Sequence, residues 1–356
     1  MTHRATRKAT GGSYDRVVLG SLSPATTFFG RVRELEALHG WFAGGDRLVT
    51  LLGPAGTGKT RLALRFAELH PKARCCDLTD ARDAAAVSDA VEAMVATLGD
   101  ETLLVLDNCE HVAHAVATVV PRIPAGTRIL VTSRERLRVP GERCFEVPPL
   151  GLPQRGDDAT ASEALQLFLD RARLVRPDYA LTAPDTEVLV EILERLDGLP
   201  LAIELAAARM RVLSPQALLR RLSLRFDLLR SDARDATTRQ RTLRGALDWS
   251  WDLLEPVEQS ALAQCSVFRS GFTLEAAEAV LDLSPHVGAP ATLEVIESLC
   301  DKSLVRTLPR AGDVRFGLYE CIREYAAERL GDEIDRVRER HGAYFLAFGR
   351  DRKSVV

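Results

Sequence analysis

No stretch of this 356-residue chain approaches the ~18 consecutive apolar residues that a membrane-spanning helix needs, which excludes a helical membrane span. An excess of charge of either sign is also missing. The net charge is −3, so no global basic field argues for nucleic acid. None of the seven cysteines stands in a Cys-x-x-Cys spacing, and their number is odd. Cys75 and Cys76 are adjacent, while Cys109, Cys144, Cys265, Cys300 and Cys321 are scattered. That pattern argues against a zinc site or a redox pair and for reduced thiols in a cytoplasmic protein. The N-terminus is polar and basic without an apolar core, which argues against a secretory signal. No internal repeat is visible. What remains is an ordinary globular composition, 46% hydrophobic and 27% charged, at a length expected for two or three domains.

Against this plain background one segment stands out: Gly53-Pro54-Ala55-Gly56-Thr57-Gly58-Lys59-Thr60, a G-x-x-x-x-G-K-T loop. An apolar, β-prone run (Arg47–Leu52) precedes it and a run of good helix formers (Arg61–Leu69) follows, the strand–loop–helix context that a phosphate-binding P-loop requires. The glycines let backbone N–H groups point inward at phosphate oxygens, and the helix N-terminus adds partial positive charge. Lys59 is expected to reach the β- and γ-phosphates and Thr60 to ligate Mg²⁺, with Arg61 next to them. A glycine-rich turn before an ordinary helix is the alternative, but it leaves the Lys-Thr pair without a role.

Residues 1–27 are rich in Thr, Arg, Gly and Ser with no apolar period and read as a flexible tail. The spacing of Leu35, Leu38, Trp41 and Phe42 predicts a helix over 33–42, and another covers 84–98. Leu103–Leu106 and Arg128–Thr132 read as buried parallel strands, with a helix at 111–120 between them; Cys144–Val147 is a candidate further strand. Beyond Pro153 the chain turns helical, with expected helices at 162–175, 185–196, 199–212 and 214–222. Further helices follow at 243–254, 257–267, 274–281 and 291–301. A hairpin with arms Ser303–Arg306 and Val314–Leu318 comes next, then helices at 319–330 and 335–348. Helices followed by a two-stranded wing look like a winged helix. The arginines of 220–244 read as a solvated linker face or, alternatively, a phosphate-contacting patch.

The expected fold is thus an α/β P-loop NTPase domain (parallel sheet, helices on both faces) at 28–152, a helical domain at 153–232, a winged-helix domain at 233–318 and a helical arm at 319–356. Asp107 ends its apolar strand where a carboxylate would hold Mg²⁺ beside Thr60; capping the next turn is the alternative. Asn108 follows it and cannot accept a proton, which weakens a common route to hydrolysis. Glu110 is either a catalytic substitute or a surface charge at a helix N-terminus. Arg134, beyond the strand 128–132, sits at the sheet edge that faces the ligand crevice and could read a γ-phosphate; Arg136 and Arg138 read as surface charges.

Several stretches together resemble one family: Phe29-Gly30-Arg31, the P-loop, Leu103–His111, Leu130–Glu135, Gly198–Ala207, Thr242–Ser250, Asp301–Val305 and Ile322–Ala326. The chain resembles the STAND signal-transduction ATPases of the NB-ARC type, in the form found in bacterial LuxR- and SARP-like regulators. The resemblance covers about 28–345 and implies an ATP/ADP switch in which nucleotide sits between three domains, hydrolysis is slow, and exchange permits opening, protein partners or self-association. It implies that Pro200 packs on the adenine and that the backbone of Phe29, Gly30 and Arg31 borders the base. It also implies a repeat sensor beginning near 335–348. Where family members carry Met-His-Asp after the wing, this chain has Leu318-Tyr319-Glu320, so Tyr319 could supply the one hydrogen bond left at that place. Two alternatives stand beside the switch. One is a DNA-binding regulator acting through the wing, disfavoured by Glu294, Glu297 and Asp301 on the presumed recognition helix. The other is a nucleotide-binding scaffold that does not hydrolyse.

Overall fold

A computed structural model describes residues 27–96, 102–153, 159–222, 243–310 and 313–353. The expected tail, apart from Thr27, lies outside these residues, as do the tip of the hairpin at 311–312 and the arginines between 223 and 242.

Helix α1 (Val32–Ala43) leads into β1 (Leu48–Leu52), the P-loop and α2 (Lys59–Glu68). Then come β2 (Arg74–Asp77), α3 (Ala84–Val95), β3 (Leu103–Asp107), α4 (Ala113–Val119), β4 (Arg128–Thr132) and β5 (Glu142–Glu146). The strands form one parallel sheet in the order β2-β3-β4-β1-β5. Every residue of β1 and β3 is buried because both faces of the sheet are covered. Alternate side chains feed two apolar clusters: Leu48, Leu104, Leu106, Ile129 and Val131 pack toward α3 and α4, and Val49, Leu51, Leu103, Val105 and Leu130 toward α1 and α2. β4 lies between the P-loop strand and the strand ending in Asp107, so Ser133 and Arg134 emerge between those two sites.

Strand β2 is not predicted by the sequence pattern. Its only apolar residues are the cysteine pair, both buried, which behave as small hydrophobes inside a four-residue strand without β-branched neighbours. β5 is an edge strand, mostly exposed and charged at its ends.

The rest is helical: α5 (Glu163–Val175), α6 (Ala183–Arg195), α7 (Pro200–Ala208), α8 (Pro215–Leu222), α9 (Leu243–Asp252), α10 (Pro256–Cys265), α11 (Leu274–Val280) and α12 (Thr292–Asp301). An antiparallel hairpin, β6 (Arg306–Arg310) and β7 (Asp313–Gly317), precedes α13 (Glu320–Leu330) and α14 (Ile334–Lys353). Ser162 caps α5 by accepting from the Leu165 N–H at 3.3 Å, and Pro215 takes the first position of α8. A single apolar cluster runs through all these helices, from Leu150 to Val337.

The first hairpin arm starts three residues later than its β-prone sequence predicts. Ser303 adopts a left-handed backbone, and the Leu304 and Val305 N–H groups return to the Leu299 carbonyl at 3.0 and 3.2 Å. These residues therefore finish α12, where their side chains plug the core.

Asp197, between α6 and α7, ties the two ends of this helical region together. Its carboxylate accepts the Glu320 N–H and faces Arg306 at 3.8 Å. Burial nevertheless pushes its carboxyl up to about 6, against the Glu320 hydrogen bond and the Arg306 charge. A raised carboxyl favours the fold below its unfolded value, and that contribution is lost as pH rises through about 6. Asp197→Asn keeps the acceptor and tolerates the left-handed backbone. Its stability relative to wild type should therefore rise by about 1–2 kcal/mol between pH 4 and pH 7.5. Urea denaturation at both pH values checks this, and a flat difference would refute it.

Candidate functional site

The loop after β1 closes because Gly53, Gly56 and Gly58 all take positive φ, between 85° and 144°, which side-chain-bearing residues rarely adopt. Thr57 is buried and donates its hydroxyl to the Pro54 carbonyl at 3.0 Å. Lys59 folds back over the loop, donating to the Gly53 carbonyl at 2.6 Å and the Pro54 carbonyl at 3.1 Å. Burial pulls its ammonium down to about 8; Glu110 and Asp107 oppose that shift and Arg134 adds to it.

Thr60 donates to Asp107 Oδ1 at 2.8 Å. The Thr132 hydroxyl donates to the same oxygen. Burial raises the Asp107 carboxyl to about 6 despite both hydrogen bonds. A hydroxyl and a carboxylate side by side are hard oxygen donors of the kind Mg²⁺ takes, and a buried carboxylate with raised pKa is the group a cation would stabilise. The Asp107 side chain bonds Thr60, Thr132 and Asn108; among the described residues no backbone N–H of the next turn is bonded to it. Asn108 has φ 60°, tolerable for Asn. Its amide donates to Asp77 and Thr79 at 3.1 and 2.9 Å.

Glu110 is not a surface charge. Its side chain is 6% exposed and accepts from Arg134 Nε at 3.1 Å. Arg134 also bonds the Ser250 hydroxyl, and its guanidinium lies 4.6 Å from the centre of the Trp249 ring. Its backbone carbonyl accepts from Ser303 at 2.8 Å. Arg136 and Arg138 are exposed, as expected, but both pair with Asp301, at 3.4 and 2.8 Å.

Helix α7 covers the loop. The Leu201 N–H donates to the Gly56 carbonyl at 3.2 Å, and a Cβ on Gly56 would come within 2.9 Å of Leu201. Pro200 stands over Gly58. Arg61 pairs with Glu204 at 3.0 Å and donates to the Thr27 carbonyl at 2.9 Å. On the same side Arg31, left-handed at φ 63°, donates to the Thr57 carbonyl at 3.0 Å. Its own N–H reaches Glu163 at 3.1 Å. Gly30 lies against that carboxylate with no space for a Cβ.

A cavity of about 230 Å³ results, walled by Ala55, Gly56, Gly58, Lys59, Thr60, Arg61, Asn108, Glu110, Arg134, Pro200, Leu201, Glu204 and Trp249. Phe29 and Arg31 line a smaller recess of about 30 Å³ next to it, shared with Gly58, Arg61 and Pro200. A larger hollow of about 540 Å³, by Val32 and Leu152, holds none of these groups. Tyr319 is not brought to the cavity: it is buried elsewhere, under the Arg306 guanidinium at 4.3 Å. Trp249, Ser250 and Glu204 join the site although sequence reasoning does not single them out. The legible signal is a lone acid in the otherwise apolar Leu201–Ala207 run, and a Trp-Ser pair inside the stretch of family resemblance.

The sheet, the loop and the helices on both faces define a P-loop ATPase fold. The Walker-type ATPase paby2304 of Pyrococcus abyssi shares it at 12% identity, aligning over 86% of this chain and 99% of that one with a TM-score of 0.53. A STAND protein with a tetratricopeptide repeat sensor from Pyrococcus horikoshii aligns over 91% of this chain and 46% of that one at 18% identity, with a TM-score of 0.33. The uncharacterized protein Rv0894 of Mycobacterium tuberculosis is 36% identical over 343 residues, 89% of this chain and 85% of that one. The chain belongs to the same family as that protein. A longer protein of the same organism, "Putative HTH-type transcriptional regulator Rv0890c", is 38% identical over 330 residues, 85% of this chain but 36% of that one. No protein-family model matches the chain. Among the described residues no helix is long and apolar enough to cross a membrane.

Proposed function

We propose that this chain is an ATP/ADP-operated regulatory switch of the NB-ARC type, with nucleotide and Mg²⁺ held at the P-loop and with domain opening, rather than turnover, as its output. In this reading Lys59 exchanges the Gly53 and Pro54 carbonyls for phosphate oxygens, and the loop N–H groups of residues 55–60 cradle the same anion. Thr60 and Asp107 hold Mg²⁺, which would neutralise phosphate charge. Pro200 with the Phe29-Gly30-Arg31 segment borders the base, and Arg134 meets the γ-phosphate. With Asn108 turned to Asp77 and Thr79, hydrolysis is slow. The units proposed are 28–152, 153–232, a winged helix at 233–318 and the arm from 319.

The observation that carries the proposal is the double engagement of Arg134. It lies on the cavity wall, yet its partners Trp249 and Ser250 belong to α9 in the third unit. A γ-phosphate that draws on Arg134 competes with those partners and loosens α9; a diphosphate leaves them in place. Trp249→Ala should therefore release a bound fluorescent ADP about ten-fold faster, the value of one lost cation–π and wall contact in a desolvated site. Stopped-flow chase with excess ADP measures it, and an unchanged release rate counts against the switch.

A DNA-binding role through the wing has less support. The end of α12 is engaged with the P-loop unit through Asp301 and Ser303, and Lys302 is paired with Glu258 at 2.6 Å. Control of transcription as the downstream output is supported by the relative named as an HTH-type regulator, of which this chain spans about a third.

A further inference from the structure

Asp107, Lys59, Thr60 and Arg134 all have assigned roles in the switch, but the buried carboxylate among them, Glu110, does not. Its side chain is almost fully withdrawn from water, and its partner is Arg134 Nε at 3.1 Å. It lines the cavity together with Lys59. Glu110 thus pairs with one of the two cations that a terminal phosphate would contact and shares the cavity wall with the other. A carboxylate and a phosphate present similar paired oxygens to a guanidinium.

We propose that Glu110 is a built-in stand-in for the terminal phosphate: in the closed form its carboxylate holds the anionic position between Lys59 and Arg134, and so sets a preference for nucleoside diphosphate over triphosphate. This rests on the switch reading above. A diphosphate ends short of that position and leaves the Glu110–Arg134 pair intact. A triphosphate must part the pair, and a buried carboxylate stripped of its cation is costly. The penalty falls on the triphosphate alone, which makes Glu110 a determinant of nucleotide choice. Its place in the chain fits this role. Three residues beyond Asp107, it shares the turn that presents the metal-binding carboxylate, with the Cys109 N–H fixed to the Thr132 carbonyl at 3.0 Å.

The test compares the full chain with Glu110→Gln and Glu110→Asp. ADP and a non-hydrolysable ATP analogue, each with Mg²⁺, are titrated by calorimetry, with Lys59→Ala as the control. Glu110→Gln removes the charge and keeps the shape. It should raise the triphosphate-to-diphosphate affinity ratio about ten-fold, with ADP affinity within about two-fold of wild type. Glu110→Asp, which withdraws the carboxylate by one methylene, should shift the ratio less and in the same direction. An unchanged ratio, or weaker triphosphate binding, overturns the inference. So does a fall in hydrolysis alone, the mark of a water-activating base, and so does loss of both nucleotides in both variants. Failure of the wild-type chain itself to bind either nucleotide, matching Lys59→Ala, would instead remove the switch reading on which the inference stands.

Discussion

Lys59→Ala is expected to weaken ADP and ATP binding by about a hundred-fold or more, while the ligand-free protein folds as before. The first half follows from burial. The ammonium lies inside the loop, bonded at 2.6 and 3.1 Å to the Gly53 and Pro54 carbonyls. Any phosphate placed there meets a cation that is partly shielded from water. Truncating one member of such a buried pair costs about 2–5 kcal/mol, or roughly thirty-fold to several thousand-fold in affinity. The second half follows from the sign of its shift. Burial lowers the Lys59 ammonium to about 8, so its charge is a burden on the ligand-free fold below pH 8, and the burden disappears as pH rises toward the unfolded value. Alanine removes the burden along with the phosphate contact. Calorimetric titration with ADP, paired with a thermal melt at pH 7.5, separates the two effects. Affinity within about three-fold of wild type would mean that the loop does not bind phosphate through this residue.

Gly198→Ala should be severely damaging for so small a substitution, at about 2–4 kcal/mol. Gly198 follows α6 with φ 65°, and an added Cβ would lie 2.5 Å from the Leu150 carbonyl. The neighbour is backbone and cannot rotate away. That carbonyl belongs to a residue whose own N–H donates to the Gly198 carbonyl at 3.0 Å, so relieving the clash breaks the contact that aligns Leu199-Pro200-Leu201 with the P-loop. Nucleotide affinity should fall along with stability. Gly126→Ala, where a Cβ meets nothing within 4 Å, is the matched control. Chemical denaturation of the two variants decides the point, and equal stabilities would show that the Gly198 backbone has room the structure does not suggest.

Local signals are legible in the sequence, and apposition is not. The P-loop is a contiguous string whose flanks announce strand and helix, and β1, β3 and β4 are apolar runs that have no other use than a buried parallel sheet. β2 escapes notice because two cysteines stand where valines would speak plainly. The hairpin starts late because a β-prone triplet is used to end α12. Arg134 is legible from its position after a strand, but its partners Trp249 and Ser250 lie more than a hundred residues away, and no periodicity joins them. Glu110 is ambiguous for the same reason: an acid near a helix start reads as solvated unless the arginine that buries it is known to be opposite. Tyr319 shows the converse. Its place in a motif points to the nucleotide, and packing against Arg306 takes it elsewhere.

The two seams of the molecule are made of different materials. Between α9 or α12 and the P-loop unit, ionic and polar contacts accompany the packing of the Trp249 ring on Arg134 and His111: Arg134 with Ser250, Arg136 and Arg138 with Asp301, Ser303 with a carbonyl. Within the helical half, one apolar cluster extends from Leu150 to Val337. Dissolved salt, which screens charges over about 8 Å at physiological strength, acts mainly on the first seam. Heat and cold act mainly on the second. Under the proposed switch, a molecule stitched in this way would work as a hinge with a latch of charge and a pivot of oil, each loosened by a different agent.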